Sequence, residues 1–227
     1  MDPRPHPAKF HDNIIKVAAD ILDAEGIDGG ELLFDPFGGT GKVFQLQDRF
    51  PHLGITALEI EPGWAAWDER ITLGNALDNH FPDDHFDIVF TSPTYGNRMA
   101  DSFNATVPSG RNTYTHKYGE ELNPDNSGTL QWGPKYRDFH RDAWSETIRV
   151  LKPGGLFLLN IKNHIRAGKV QNVVGWHTDY LVTCGLIHVR DVKIPTPGNR
   201  QGQNGDVRID HELICIFRKA GRSSWKR

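Results

Sequence analysis

A glycine-rich turn between an apolar strand and a helix is the feature that most constrains the fold of this chain. Residues 31–34 form a short, mostly apolar run, and the sequence DPFGGTG follows directly at residues 35–41. Three glycines at a strand-to-helix junction remove side chains and leave backbone N–H groups open to a bound group. The sequence therefore predicts a βα unit here, with its helix over residues 40–49.

Strands and helices alternate along most of the chain. Apolar runs predict six further strands, at residues 54–60, 71–77, 86–90, 156–161, 186–193 and 212–217. Helical spacing of apolar residues predicts helices at residues 12–24, capped by Asp12 and stopped by Gly26, and at residues 63–70, 139–150 and 170–184. This alternation favours an α/β fold with a parallel sheet and crossover connections.

Length and composition limit the domain count and the cellular context. The chain has 227 residues, 37% of them hydrophobic, which suits a single domain over residues 1–227. Its net charge of −3 means that any nucleic-acid binding must come from a local basic face. Cys184 and Cys215 lie in apolar stretches and are expected to be buried thiols. Without a signal peptide or a long apolar span, we expect a soluble, cytoplasmic protein.

A second motif follows the strand predicted at residues 86–90. The sequence TSPTY occupies residues 91–95. The Ser92 hydroxyl and the Pro93 carbonyl are hydrogen-bond acceptors, and Tyr95 adds an aromatic ring. Parallel strands end at the same edge of a sheet, so this loop and the glycine-rich turn are expected to share one site.

The two motifs together resemble those of S-adenosylmethionine-dependent amino-methyltransferases, which modify an exocyclic NH₂ of a DNA base. The resemblance covers residues 6–219, with the cofactor loop first and the catalytic loop second. It implies a class I (Rossmann-like) methyltransferase fold, with a mostly parallel seven-stranded sheet, helices on both faces and an antiparallel last strand. It also implies S-adenosylmethionine as cofactor, double-stranded DNA with a short target site as partner, and no metal.

The resemblance assigns cofactor contacts to the N-terminal segment, the glycine-rich turn and the following strand ends. Glu59 would accept hydrogen bonds from the ribose hydroxyls, and Asn75 stands where such enzymes commonly carry an Asp that contacts adenine. The implied set is Lys9, Phe10, Asp35, Pro36, Phe37, Gly38, Gly39, Gly41, Glu59, Ile60, Asn75, Ala76 and Ser92. An empty tight loop is the alternative, and a nicotinamide site is disfavoured because the turn reads GGxG rather than GxGxxG.

The implied catalytic residues are Ser92, Pro93, Thr94 and Tyr95. Ser92 and Pro93 would accept the hydrogens of the target amine while Tyr95 stacks on the base. The family carries a second proline where this chain has Thr94. If Thr94 merely loosens the loop, Thr94→Pro should hold or raise activity; if it shapes the pocket, activity should fall. Family members with Ser at the first position tend to act on cytosine N4, so the target leans to cytosine N4 over adenine N6.

Three segments could hold a DNA duplex while the target base is flipped out. The first is a basic turn after the fifth strand, and the others are an inserted loop region at residues 96–138 and a loop at residues 194–210. The candidate contacts are Arg98, Lys162, Arg166, Lys169 and Arg200. Two alternatives stay open: methylation of RNA or a protein amide, and a degenerate methyltransferase fold that only binds nucleic acid.

Overall fold

The computed structural model describes residues 4–7, 10–97, 99–100, 113–196 and 209–221. The strands within these ranges are β1 Leu32–Asp35, β2 Gly54–Glu59, β3 Ile71–Leu73, β4 Phe86–Thr91, β5 Leu151–Ile161, β6 His164–Arg166, β7 Lys169–Gln171, β8 Leu186–Pro195 and β9 His211–Lys219. The α-helices are α1 Asp12–Ala24, α2 Pro62–Ala65, α3 Tyr114–Tyr118, α4 Pro134–Val150 and α5 Val173–Thr183. Two 3₁₀ helices cover Lys42–Asp48 and Ser127–Thr129.

Seven strands form the main sheet, in the order β3-β2-β1-β4-β5-β9-β8. The neighbours from β3 to β5 pair in parallel. β9 is antiparallel to both β5 and β8, between which it lies. The predicted α/β fold, with its mostly parallel seven-stranded sheet and antiparallel last strand, is confirmed.

Apolar side chains cover both faces of this sheet. In β5, Leu156 and Leu158 face the cluster that contains α1, whereas Phe157 and Leu159 face the cluster that contains Trp144 of α4. A central strand buried on both faces explains the nearly continuous apolar run that predicted it. The functional edge of the sheet is thus held between two packed layers of helices.

The helix predicted at residues 63–70 is much shorter in the structure. α2 ends at Ala65. Beyond it, the Asp68 carboxylate accepts a hydrogen bond from the backbone N–H of Arg70 at 3.0 Å, and the Asp68 carbonyl accepts one from Ile71 N–H. This local bonding competes with helix continuation and turns the chain into β3.

The segment predicted as a basic turn is a β-hairpin. β6 pairs antiparallel with β7 through a turn in which Ala167 and Gly168 have φ of 50° and 72°. Two positive φ values in a two-residue connection are typical of the turns that match strand twist. The following helix starts at Val173 instead of residue 170, because Asn172 caps it by accepting from Gly175 N–H.

Other local predictions also shift. His11, not Asp12, is the N-cap of α1, and Gly26 follows the helix with φ 78° as expected of a stop. The strand predicted at residues 156–161 starts earlier, at Leu151, and its pairing with β4 is irregular over residues 151–155. Cys215 is buried, but Cys184 is partly exposed. In the described part of the chain, no helix has the length and apolar character needed to cross a membrane.

Candidate active site

A cavity of about 590 Å³ opens at the edge of the sheet where the parallel strands end. Its wall includes the glycine-rich turn after β1, the ends of β2 and β3, and the TSPTY loop after β4. Open α/β sheets bind ligands at this edge, and the volume suits a ligand of nucleoside size. The two sequence motifs therefore meet in one cavity.

The glycine-rich turn forms one wall of the cavity through Pro36, Phe37, Gly38 and Gly39. Gly38 N–H donates to the Leu58 carbonyl at 2.7 Å, and a Cβ on Gly38 would lie 2.8 Å from the Ala57 Cβ. Only glycine allows the turn to pack so closely on β2. The backbone is thereby held beside the space that a ligand would fill.

Asp35 and Gly41, both predicted as cofactor contacts, lie outside the cavity wall. Asp35 is buried and accepts hydrogen bonds from the Thr91 hydroxyl at 2.7 Å and from Phe37 N–H at 3.0 Å. Burial raises the pKa of Asp35 to about 7. Asp35 thus ties the glycine-rich turn to the start of the TSPTY loop, while Gly41, with φ 76°, caps the first 3₁₀ helix.

Glu59 lies at the end of β2 and lines the cavity. It is 8% exposed, and burial raises the pKa of its carboxyl group to about 8. One of its oxygens accepts a hydrogen bond from Glu61 N–H at 2.8 Å. A buried acid at this position can accept further hydrogen bonds from ligand hydroxyls. Ile60 lines the cavity beside it.

Asn75 lines the cavity together with Ala76 and is paired with an acid that the sequence did not reveal. Its Nδ2 donates to Asp125 Oδ2 at 2.9 Å, and its Oδ1 accepts from Leu77 N–H. Asp125 also lines the cavity. The inserted segment at residues 96–138 therefore places a carboxylate beside Asn75 in the cavity wall.

The inserted segment is fixed to the cavity rim by the buried carboxylate of Glu61. One Glu61 oxygen accepts hydrogen bonds from Asn123 N–H at 2.7 Å and from Asn126 Nδ2 at 2.8 Å. Asn126 and Ser127 line the cavity. The segment was predicted as an inserted loop region. Where the structure describes it, these hydrogen bonds hold it in a defined position.

The N-terminal segment closes the same end of the cavity. The His6 ring packs against Trp64 with centroids 4.4 Å apart, and Trp64 Nε1 donates to the Pro5 carbonyl. Phe10 lines the cavity and stacks on Phe90 at 4.9 Å. Lys9, also predicted as a cofactor contact, lies outside the described residues.

All four predicted catalytic residues, Ser92, Pro93, Thr94 and Tyr95, line the cavity. The Thr94 hydroxyl is a hydrogen-bond donor to Ser127. Its oxygen lies 3.2 Å from the Ser127 carbonyl oxygen and 3.0 Å from Ser127 Oγ. Thr94 thus connects the loop to the inserted segment. A proline at position 94 could not make this hydrogen bond, so stiffening would not be its only effect.

Two further polar residues complete this end of the cavity. Asn160, in β5, and Glu212, in β9, both line it. Asn160 Nδ2 lies 3.2 Å from Ser92 Oγ, 3.0 Å from the Tyr95 hydroxyl and 2.9 Å from Glu212 Oε2. Sequence reasoning missed both residues, because residues 156–161 and 212–217 were interpreted only as strands that complete the sheet.

A buried polar chain supports the TSPTY loop from behind. Trp144 Nε1 donates to His177 Nδ1 at 2.9 Å, so the neutral His177 ring carries its proton on Nε2. His177 Nε2 lies 2.9 Å from the Tyr136 hydroxyl, which donates to the Thr94 carbonyl. Burial lowers the pKa of His177 well below its usual value, which keeps the ring neutral.

The predicted nucleic-acid contacts are spread over different surroundings. Lys162 lines the cavity, and its Nζ donates to the Thr196 hydroxyl at 2.8 Å. Arg166 and Lys169 are exposed on the hairpin, outside the cavity wall. Arg98 and Arg200 lie outside the described residues. Among described residues, no group of three or more His, Cys, Asp or Glu side chains is placed to hold a metal ion.

Comparison with solved structures establishes the fold class. A methyltransferase from Methanosarcina mazei, described as S-adenosylmethionine-dependent, matches with a TM-score of 0.57 and 13% identity, over 88% of this chain and 98% of that one. The chain has the class I methyltransferase fold. No protein-family model matches the sequence, and no curated protein matches it.

Other structures with this fold carry out different reactions. Geranyl diphosphate methyltransferase, solved with GPP and sinefungin, matches with a TM-score of 0.54 and 13% identity, over 90% of this chain and 78% of that one. The cyclase SpnF matches with a TM-score of 0.57 and 14% identity, over 97% of this chain and 86% of that one. The fold therefore does not define the reaction, which must be argued from the cavity.

Proposed function

We propose that this protein transfers a methyl group from S-adenosylmethionine to an exocyclic amine of a DNA base, with cytosine N4 favoured over adenine N6. The proposal rests on one observation: a single cavity has a buried acid suited to a nucleoside at one end and a group of hydrogen-bond acceptors beside an aromatic ring at the other. Glu59 marks the nucleoside end, and the hydrogen-bond acceptors of the TSPTY loop mark the other. A methyl donor and an amine must meet in this way for direct transfer.

The nucleoside end suits S-adenosylmethionine. Glu59 would accept hydrogen bonds from the ribose hydroxyls, and Gly38 and Gly39 leave room for the methionine part beside the backbone. Asp125 and Asn75 together would contact the adenine ring, with the Asp125 carboxylate as acceptor for its 6-amino group. The polar atoms at this end are oxygens and amide nitrogens, which can form hydrogen bonds with the hydroxyl, amino and ring-nitrogen groups of a nucleoside.

The other end suits an amine that is conjugated with a ring. Such a nitrogen is a weak nucleophile, because its lone pair is delocalised into the ring. Acceptors placed around its hydrogens favour the tetrahedral geometry that it reaches during transfer. Ser92 and Pro93 are the acceptors, and the Tyr95 ring provides an aromatic surface for the base.

The β6–β7 hairpin supports a nucleic acid as the substrate. Its first residues, His164 and Ile165, line the cavity, while Arg166 and Lys169 are exposed beyond it. Cationic side chains next to the mouth of the cavity would contact phosphates on either side of a flipped base. Restriction and modification of DNA is the setting in which such an activity would serve.

Transfer of a labelled methyl group from S-adenosylmethionine tests the proposal. We expect label in double-stranded DNA, and sequencing that distinguishes the modified bases should locate it on cytosine N4. Label only in RNA or protein would support the first alternative. Cofactor binding without transfer to any of the three would support the degenerate binding protein.

Two variants, each with a control, connect the activity with the cavity and the hairpin. Ser92→Ala should lower the transfer rate strongly, whereas Ser145→Ala, at an exposed position of α4, should not. Arg166→Ala with Lys169→Ala should weaken DNA binding and reduce its dependence on salt concentration, because fewer counterions are released. Lys16→Ala, at an exposed position of α1, removes a positive charge away from the cavity and is the control.

A further inference from the structure

We call the part of the cavity lined by the TSPTY loop, Asn160 and Glu212 the amine end. Four polar groups form a connected network there. The Tyr95 hydroxyl lies 3.0 Å from Ser92 Oγ and 3.1 Å from Glu212 Oε2. Asn160 Nδ2 lies within hydrogen-bond distance of all three partners, and nearest to Glu212 at 2.9 Å. Glu212 comes from β9, far along the chain from the TSPTY loop.

The chemistry of these groups gives the network a direction. An ionised Glu212 carboxylate has no hydrogen to give, so the Tyr95 hydroxyl donates to it. Tyr95 has one hydroxyl hydrogen, so in its contact with Ser92 the hydrogen must come from Ser92. The Ser92 hydrogen is therefore directed along the chain toward Glu212, and a lone pair of its oxygen remains for the cavity.

Without the carboxylate, the same hydroxyls could reverse their order. Tyr95 would then donate to Ser92, and the Ser92 hydrogen could turn into the cavity. A hydrogen there would face the hydrogens of the target amine and repel them. The carboxylate at position 212 therefore decides whether Ser92 presents a donor or an acceptor.

We infer that Glu212 is a positioning residue that acts through Tyr95 to fix the Ser92 hydroxyl as the acceptor for the target amine. This inference rests on the proposed function, because it takes the target group to be N–H₂. It assigns the Tyr95 hydroxyl a role separate from that of its ring. It also explains why an acid at the start of β9 lies against the TSPTY loop.

A double-mutant cycle in the full-length protein tests this role. Glu212→Leu, which removes the acceptor altogether, and Tyr95→Phe should each lower the single-turnover rate about tenfold or more, with the affinity for S-adenosylmethionine unchanged. Because both residues act in one chain, the double variant should be no slower than the slower single variant. Glu69→Gln, at an exposed position beyond α2, is the control and should keep the wild-type rate. Rate losses that multiply, or a wild-type rate in Glu212→Leu, would overturn the inference.

A second measurement does not depend on turnover. The ¹³C signal of tyrosine Cζ reports the hydrogen bond of the hydroxyl, and Tyr95→Phe assigns it among the five tyrosines. We expect the Tyr95 signal to move in Glu212→Leu but not in Glu69→Gln. An unmoved Tyr95 signal would refute the inference, whether or not the protein methylates DNA. If the protein methylates DNA and the signal does not move, the proposed function stands and the role of Glu212 does not.

Discussion

The hydroxyl oxygen of Tyr136 lies 2.6 Å from the carbonyl oxygen of Thr94. Tyr136 belongs to α4, and Thr94 belongs to the loop that follows β4. Because Tyr136 also accepts from the buried His177, the position of the loop depends on a chain of hydrogen bonds that continues into the interior. The position of the TSPTY loop thus depends on side chains, those of Tyr136, His177 and Trp144, that do not line the cavity.

Tyr136→Phe tests the contribution of this chain to stability. The change leaves the Thr94 carbonyl and the His177 Nε2–H without their partner, which should lower the free energy of unfolding by ~1 to 3 kcal/mol. Denaturant titration measures it. Tyr180→Phe is the matched control, because the half-buried Tyr180 hydroxyl, 3.4 Å from the Arg141 carbonyl, is not part of the buried chain. Equal stability of the two variants would show that the buried chain contributes nothing.

Thr94→Val tests the hydrogen bond between the loop and Ser127. Valine keeps the shape of threonine but cannot donate, so the free energy of unfolding should fall by ~1 kcal/mol. The transfer rate should fall with it, because the loop loses its connection to the inserted segment. Thr94→Ser keeps the hydroxyl and should behave like the wild type. We expect Thr94→Pro to slow transfer as well. If Thr94 only loosened the loop, the same change would hold or raise the rate.

Binding of S-adenosylmethionine should release a proton near pH 7. Burial raises the pKa of Glu59 to about 8, so the empty site carries mostly the neutral acid at this pH. The ribose hydroxyls and the positive sulfonium favour the carboxylate and would lower that pKa. Calorimetry in buffers with different ionisation enthalpies should show the release. Asp35→Asn should keep the proton release, because Asp35 lies outside the cavity wall. A binding enthalpy that does not depend on the buffer would contradict the prediction.

The same raised pKa makes the stability of the unliganded protein depend on pH. Between about 4.5, the ordinary value for Glu, and about 8, the unfolded chain releases the Glu59 proton while the folded protein keeps it. The stability contributed by the neutral acid is therefore complete below this window and declines as pH rises through it, by at most about 1.4 kcal/mol per pH unit. Glu59→Gln should flatten that decline in unfolding experiments at several pH values.

Asp125 should distinguish adenine from hypoxanthine. Wild-type protein is expected to bind S-adenosylhomocysteine more tightly than its inosine analogue, because only adenine offers a 6-amino group to the carboxylate. Asp125→Ala should lose most of this preference, a difference of ~1.5 to 3 kcal/mol for a hydrogen bond to a charged group. Glu121→Ala, at an exposed position in the same segment, should keep it. Retained discrimination in Asp125→Ala would place the adenine elsewhere.

Local patterns predicted the sheet and one part of the site. The glycine-rich turn and the TSPTY motif are short, and each follows a strand, so their neighbours in the sequence are also their neighbours in space. The helix predicted at residues 63–70 was wrong beyond Ala65, because a single carboxylate, that of Asp68, bonds the backbone locally. Propensity over a window does not register such a contact.

The other site residues depend on contacts between distant segments. Asp125 joins Asn75 across fifty residues, and Glu212 joins Tyr95 across 117. Neither acid lies in a recognisable motif, and the segment around Asp125 was predicted to be structureless. An asparagine in an apolar strand, such as Asn160, was the one signal that could have indicated a functional position, because buried polar groups require partners.

The direction of β9 has a consequence for how the site is assembled. β9 enters the sheet between β5 and β8 and runs against its neighbours, so its first residues lie where the parallel strands end. A ribosome has already released the glycine-rich turn, the TSPTY loop and Asn160 before it makes Glu212. The amine end of the cavity consequently cannot be complete until β9 has been synthesised and inserted. A nascent chain stopped between Asn160 and Glu212 would carry both motifs but lack the carboxylate that contacts the Tyr95 hydroxyl.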